Sequence, residues 1–244
     1  ACDEGRAFLR ARGIPFSEKT VNTAADAAQL AQAGGKDADG AFPYGLDRMA
    51  DAYVDLLHAA GYSKAIWVGL SMGGYLILDI QRLHPEAVAA LALCDTKADA
   101  DSADMRLKRV AIATDCETTG THEPVMGFAV PSEADSTVKQ SDAYCRQFET
   151  WINEQPADGI AWRERMAAGR SDLNDVLPNI NVPVAVICGD KDPSSPPAVM
   201  KPVADAMTKT DVTMTVIDDC GHFSAYEHPD QVAAALLELV KRVG

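Results

Sequence analysis

The 244-residue sequence has no long apolar run and few positive charges. No stretch approaches the roughly 20 apolar residues that a membrane-spanning helix needs, and no charged and then apolar leader opens the chain. Lysine and arginine total 22 against 36 aspartate and glutamate, which gives a formal net charge of −14. An acidic surface repels phosphate backbones and anionic lipids, so we expect neither a nucleic-acid partner nor a membrane partner.

The six cysteines do not form a pattern that is typical of a metal or redox site. No two of them make a Cys-x-x-Cys motif, and no cluster of cysteine and histidine has the spacing of metal ligands. Cys94 and Cys188 fall in apolar runs, where a thiol usually packs as a small hydrophobic side chain. We therefore expect reduced thiols and a cytoplasmic location.

Apolar runs and helical patterns alternate along the chain, and hydrophobic residues make up 47% of it. Strands are predicted at residues 13–21, 64–70, 87–94, 183–189 and 212–217. Helices are predicted at 3–12, between Thr23 and Gly34, and at 46–60, 72–83, 197–208 and 229–243. This alternation is typical of an α/β fold in which helices cover both faces of a parallel sheet, and run 64–70 suits a strand buried on both faces.

Residues 96–172 break this alternation. They are polar, contain no strand-like run and carry Trp151 and Trp162 on helical stretches. The segment is too long for a simple connection, so we predict a helical cap inserted into the sheet. We also predict that at least one of the two tryptophans lines a substrate pocket beneath the cap.

The segment IWVGLSMGG, residues 66–74, places a serine where a strand ends and a helix begins. Gly69 and Gly73 flank Ser71 at two positions on either side, so the strand and the helix can approach without a side-chain clash. This is the pattern of a nucleophile elbow, Gly-x-Ser-x-Gly. Such a turn exposes the hydroxyl and places the helix N-terminus, with the Met72 N–H, beside a developing oxyanion.

A serine nucleophile needs a general base, and the base needs an orienting acid. His222 follows the last predicted strand and is the candidate base. The candidate acids follow the strand at 183–189 and are Asp190 and Asp192. The remaining histidines are expected to have structural roles or to lie in solvent: His58, His84, His122 and His228.

Three segments, GLSMGGY, VICGDKDPSSPP and DCGHFSAYEHPDQV, resemble the signature segments of the α/β-hydrolase family. The resemblance extends over about residues 40–244 and is strongest to the small esterases, lactonases and perhydrolase-like members. It implies Ser71 as nucleophile, His222 as general base and Asp192 as the acid, with Asp190 and then Asp95 as further choices.

The same resemblance implies the reaction. A small ester, lactone or related acyl compound is attacked by the serine, the Met72 N–H stabilises the oxyanion, and water releases the acyl group. No metal or organic cofactor is needed, and the expected partner is the small-molecule acyl substrate. One alternative is a protein of this fold that binds a small ligand but turns it over poorly or not at all.

Residues 2–35 resemble a different family, the glutaredoxin-like proteins, with Cys2 as the second cysteine of a redox motif. The chain is thus expected to be a chimera or a rearranged gene, and thiol oxidoreduction through Cys2 is a further alternative. The predicted division is 1–38 for this segment, 39–95 and 173–244 for the two parts of the hydrolase core, and 96–172 for the cap.

The usual second oxyanion donor is not visible in the sequence. No His-Gly pair or glycine-rich loop follows strand 13–21, although that is where the family supplies the donor. Loss of one such donor lowers the rate by about 10²–10³, so reduced activity is expected.

Overall fold

The structure, a computed structural model, describes residues 45–243 of the chain. All of them belong to the second of two compact units, Pro43–Gly244. The predictions for strand 13–21, its flanking helices, the glutaredoxin-like segment and Cys2 lie outside the described residues.

Strands and helices alternate along the described residues, at nearly the bounds that the sequence predicts. The strands within 45–243 are β1 Ala65–Leu70, β2 Val88–Cys94, β3 Val184–Gly189 and β4 Val212–Ile217. The helices are α1 Leu46–Ala59, α2 Met72–Leu83, α3 Ala103–Thr119, α4 Asp142–Asn153, α5 Ala157–Ala168, α6 Pro197–Ala206, α7 Ser224–Glu227 and α8 Pro229–Val243. Short 3-10 segments lie at Pro85–Ala87, Glu123–Phe128 and Asn174–Asn179. None of the helices described is long and apolar enough to cross a membrane.

The four strands form one parallel sheet in the order β1-β2-β3-β4. Trp67 pairs with Leu91 across β1 and β2, and Val186 pairs with Leu93 on one side and Met214 on the other. Because every pairing is parallel, the carboxyl ends of all four strands meet at one edge of the sheet. This confirms the predicted α/β fold and places the segments that follow the strands side by side.

Helices cover both faces of this sheet. Helices α1, α2 and α6 pack on one face, where Val54, Leu78 and Met200 are buried in the main core. Helix α8 packs on the other face through Val232 and Leu239. Burial of apolar side chains on both faces explains why β2 and β3 are apolar along nearly their whole length.

Strand β1 is less buried than the sequence predicts. Val68 is 50% exposed, whereas the apolar run 64–70 suggested burial on both faces. Among the described residues β1 pairs only with β2, and α8 packs against β2 and β3, so Val68 lies beyond the face that α8 covers.

The segment between β2 and β3 is helical. Helices α3 and α5 pack together around Ala113, Cys116, Ile160 and Ala161, which are buried. Helices α3 and α4 each begin at a serine whose hydroxyl accepts a backbone N–H of the first turn. We refer to residues 96–172 as the helical insertion.

Candidate active site

Ser71 lies in a strained turn between β1 and α2. Its φ of 54° and ψ of −114° lie where residues other than glycine are seldom found, at a cost of about 1–3 kcal/mol. Hydrogen bonds hold the turn in place: the Ser71 N–H donates to the Cys94 carbonyl at 2.9 Å, and the Thr96 hydroxyl donates to the Ser71 carbonyl at 2.6 Å. The segment after β2 therefore fixes the backbone of the serine.

The glycines around Ser71 have different roles. A Cβ on Gly69 would lie 2.2 Å from the Gly73 carbonyl oxygen, so no side chain fits there. A Cβ on Gly74 would lie 2.4 Å from the Thr96 side chain, whereas a Cβ on Gly73 would meet nothing within 4 Å. The expectation that Gly73 must be small is thus corrected: the close approach on the helix side is at Gly74.

Ser71, His222 and Asp192 form a hydrogen-bonded chain. The Ser71 Oγ lies 2.8 Å from His222 Nε2. His222 Nδ1 lies 2.9 Å from Asp192 Oδ2 and 3.0 Å from Oδ1. The residues follow β1, β4 and β3 respectively, so the parallel sheet is what brings these distant positions together.

Asp192 is 2% exposed and has several hydrogen-bond donors besides the imidazole. The Ser194 N–H and the Ser195 hydroxyl donate to it at 2.8 and 2.6 Å. Burial acts to raise the pKa of Asp192, but the hydrogen bonds from His222, Ser195 and Ser194 hold that pKa below its ordinary value. The carboxylate is therefore ionised at neutral pH and favours the imidazole tautomer that carries its proton on Nδ1.

The other two candidate acids hydrogen-bond to different groups. Asp190 is exposed and accepts the Cys220 N–H at 3.2 Å. Asp95 is fully buried and accepts the Ser224 N–H at 3.1 Å, the Ser224 hydroxyl at 2.5 Å and the Gly189 N–H at 3.3 Å. Asp95 thus connects the end of β2 to the end of β3 and to the segment that carries the histidine. Burial raises the pKa of Asp95 to about 6, against the lowering effect of the Ser224 hydrogen bonds.

Glu227 is a buried residue of the site that the sequence reasoning missed. Its carboxylate accepts the Gly221 N–H at 2.7 Å and the Phe223 N–H at 3.3 Å, one on either side of the histidine. It also accepts the hydroxyl of Ser136, from the helical insertion, at 2.5 Å. The signal that could have identified it is an acidic residue five positions after His222, on the very short helix α7.

The other histidines lie away from this chain of hydrogen bonds. His58 is in the last turn of α1. The others contact neighbouring groups: His84 lies 2.7 Å from Asp51, His122 2.7 Å from the Gln155 carbonyl, and His228 3.1 Å from the Asp219 carbonyl.

The five described cysteines are free thiols, and three of them lie in or beside the sheet. Burial raises the pKa of Cys94 and of Cys188 to about 12, and it raises the pKa of Cys220 further still. A thiol with so high a pKa is protonated and unreactive at neutral pH. These cysteines therefore pack as small apolar side chains, as the sequence suggests for Cys94 and Cys188.

A cavity of about 580 Å³ opens over Ser71 and His222. From the sheet edge and its loops, the described lining includes Leu70, Met72, Gly73, Tyr75, Asp95, Pro193, Ser194 and Phe223. From the helical insertion it includes Thr96, Lys97, Arg109, Phe128, Asp135, Lys139, Tyr144, Arg163, Glu164, Ala167 and Arg170. The insertion therefore forms much of the wall of the cavity.

Neither Trp151 nor Trp162 is among the described residues that line this cavity, so their role as substrate contacts stays a prediction. Trp151 packs against Phe148 at 5.2 Å and Tyr226 at 5.5 Å, between ring centroids. Trp162 packs against the main core. Both rings serve to attach the insertion, because large aromatic side chains are stabilised most by full contact with other apolar groups.

The chain belongs to the α/β-hydrolase family: the profile of the "Alpha/beta hydrolase family" matches residues 17–235. The match begins inside the stretch 2–35, and the comparisons do not show the glutaredoxin-like resemblance of that stretch. A search of curated proteins finds no match.

Solved structures with this fold include an esterase, an enol-lactonase and a protein named MenH. An esterase from Thermogutta terrifontis, solved with malate bound, is 29% identical with a TM-score of 0.74, over 82% of this chain and 73% of its own. An enol-lactonase from Burkholderia xenovorans LB400 is 22% identical with a TM-score of 0.70, over 82% and 74%. MenH from S. aureus is 18% identical with a TM-score of 0.69, over 82% and 76%. The family and the esterase at 29% identity support a hydrolase, and the other two structures show the shared fold.

Proposed function

We propose that the protein is a serine hydrolase that cleaves a small ester, lactone or related acyl compound through Ser71, His222 and Asp192. The observation that carries the proposal is the hydrogen-bonded chain of these three residues, with its serine end open to the cavity. The esterase at 29% identity supports an ester as the substrate class.

In the proposed first half-reaction, His222 Nε2 takes the hydroxyl proton as Ser71 Oγ attacks the acyl carbon. The carbonyl oxygen becomes an oxyanion, which the Met72 N–H and the start of α2 stabilise. That N–H has no acceptor inside the helix, because it belongs to the first turn. Collapse of the tetrahedral intermediate breaks the bond to the leaving alkoxide. The alkoxide then accepts from His222 the proton that came from Ser71.

The second half-reaction repeats these roles with water. His222 Nε2 accepts a proton from water, the hydroxide attacks the acyl carbon of the Ser71 ester, and the carboxylic acid leaves as Oγ regains its proton. Asp192 stays ionised throughout and stabilises the imidazolium that forms in each half.

A fluorophosphonate probe tests the proposal, because it reacts only with an activated serine. We expect the wild-type protein to be labelled at Ser71 and to hydrolyse 4-nitrophenyl acetate above background. Ser71→Ala should lose both properties, whereas Ser63→Ala, at an exposed position outside the site, should keep them. Labelling without hydrolysis would support the ligand-binding alternative, and full hydrolysis by Ser71→Ala would refute the serine mechanism.

A further inference from the structure

The cavity over Ser71 contains more positive charge than the chain as a whole would suggest. The described lining includes five cationic side chains, although the formal net charge of the protein is −14: Lys97, Arg109, Lys139, Arg163 and Arg170. All five belong to the helical insertion, so the insertion determines the charge above the nucleophile.

Three of these cations are neutralised by acidic partners. Arg109 pairs with Asp101 at 2.6 Å and with Glu164 at 2.9 Å. Arg170 pairs with the same Asp101 at 2.5 Å, so two arginines share two carboxylates. Lys139 pairs with Asp135 at 2.9 Å. These ion pairs connect the segments that line the cavity, and they leave little net charge to attract a ligand.

Lys97 and Arg163 have no acidic partner within residues 45–243. Lys97 is half-buried and follows Thr96, whose hydroxyl donates to the carbonyl of Ser71, so its backbone lies beside the nucleophile. Arg163 is exposed and reaches the cavity from α5. The remaining acidic lining residue, Asp95, already accepts hydrogen bonds from Ser224 and Gly189.

Tyr144 is among the residues that line the same cavity, and its hydroxyl is an unused hydrogen-bond donor. The residue is 1% exposed, and its hydroxyl has no hydrogen-bond partner among the described residues. Burial raises the pKa of Tyr144 well above its ordinary value, so the hydroxyl keeps its proton. A buried hydroxyl without a partner is uncommon, and an acceptor oxygen of a bound ligand would satisfy it.

We propose that the cavity selects acyl substrates that carry a carboxylate, such as half esters of dicarboxylic acids. Lys97 and Arg163 bind the carboxylate, Tyr144 donates to another oxygen of the substrate, and the ester carbonyl lies at Ser71. The inference rests on the proposed hydrolase function and specifies its substrate class. Because the formal net charge of the chain is −14, we expect these two cations to provide most of the local attraction of the cavity for an anion.

Two esters with the same acyl chain length test the inference: 4-nitrophenyl hexanoate and the mono-4-nitrophenyl ester of adipic acid. The second differs in having a carboxylate in place of the terminal methyl group. We expect the wild-type kcat/KM to be at least about tenfold higher for the adipate ester, because charge-assisted hydrogen bonds to Lys97 and Arg163 contribute only there. This preference should decrease as the salt concentration rises.

Variants assign the preference to the two cations. Lys97→Met and Arg163→Gln should each lower kcat/KM for the adipate ester by about tenfold and leave the hexanoate ester nearly unchanged. Lys108→Gln makes the same change of charge on the exposed side of α3, outside the cavity, and should affect neither ester. Tyr144→Phe should lower kcat/KM for both esters by a similar factor.

The outcomes separate the two proposals. Ser71-dependent hydrolysis without a preference for the adipate ester, or equal losses on both esters in the Lys97 and Arg163 variants, would overturn the inference and leave the hydrolase in place. If neither ester is hydrolysed, the hydrolase proposal fails. Calorimetric binding of adipate itself to Ser71→Ala, weakened by Lys97→Met but not by Lys108→Gln, would then still support the anion site, and no binding would overturn it.

Discussion

The carboxylate of Glu227 lies 2.7 Å from the backbone nitrogen of Gly221, the residue immediately before His222. The same carboxylate accepts the N–H of Phe223, so the backbone on both sides of the histidine is fixed by one buried group. A Cβ on Gly221 would lie only 2.9 Å from Glu227, which explains a glycine at this position. The position of the imidazole therefore depends on a residue that does not touch the nucleophile.

Glu227→Gln should disturb this arrangement. The amide replaces one acceptor oxygen with a donor, so at least one of the N–H and O–H groups around it loses its acceptor, at about 1–3 kcal/mol. We expect a lower melting temperature and a kcat reduced about tenfold or more with little change in KM, because the histidine is misplaced while the cavity is kept. Glu238→Gln on the exposed face of α8 is the matched control. Unchanged kcat in Glu227→Gln would exclude a positioning role.

Asp95 should make the stability of the protein depend on pH. Its folded-state pKa of about 6 lies above the ordinary value of 3.8, so between those values the folded protein binds the proton more tightly than the unfolded chain does. Stability from this group is present below about pH 4 and is lost as pH rises towards 6. The loss is about 2–3 kcal/mol.

Asp95→Asn removes that titration. Urea unfolding should be measured at several pH values. The free energy of unfolding of the variant, relative to that of the wild type, should rise between pH 4 and 6.5, whatever constant difference separates the two proteins. Ser63→Ala, which changes no titratable group, should run parallel to the wild type over the same range. Parallel curves for Asp95→Asn and the wild type would contradict the raised pKa.

Asp192→Asn tests the assignment of the acid. The amide keeps the shape of the side chain but can present a donor to His222 Nδ1, which favours the wrong tautomer, and kcat should fall by roughly 10⁴. Because the pKa of Asp192 is lowered in the folded protein, the variant should also lack stability that the wild type has above about pH 4 and loses as pH falls below it. Asp190→Asn should keep nearly full activity, and a reversal of the two results would transfer the role of the acid to Asp190.

Gly69 and Gly73 should respond differently to alanine. In Gly69→Ala the new Cβ would meet the Gly73 carbonyl at 2.2 Å, so β1 and α2 must separate and the elbow is distorted. We expect a lower melting temperature and loss of fluorophosphonate labelling. In Gly73→Ala the Cβ meets open space. The melting temperature should stay within a degree or two of the wild type, which corresponds to a change of about 0.5 kcal/mol in the free energy of unfolding. Equal destabilisation by the two variants would contradict the contacts described at the elbow.

The sequence predicts the four described strands well, because strands depend on local patterns. Apolar runs of strand length mark the sheet, and Ser71, Asp192 and His222 each follow one of them. Roles that arise only when separate segments meet were not predictable. The contact of Gly74 with Thr96 is of this kind, as is the packing of Trp151 against Tyr226 rather than at the cavity.

Turnover should be slow even with the three residues in place. The Met72 N–H is the oxyanion donor expected from the described part of the chain, and the second donor of the family was not found in the sequence. A missing donor removes about 3–4 kcal/mol of transition-state stabilisation, so kcat for 4-nitrophenyl acetate should lie about 10²–10³ below that of an esterase with both donors. Fluorophosphonate labelling should persist at a reduced rate, because phosphonylation also develops charge on oxygen. Turnover as fast as that of an ordinary esterase would mean that a second donor exists. Proline substitutions through residues 34–45, each of which removes one backbone N–H, would then locate a backbone donor.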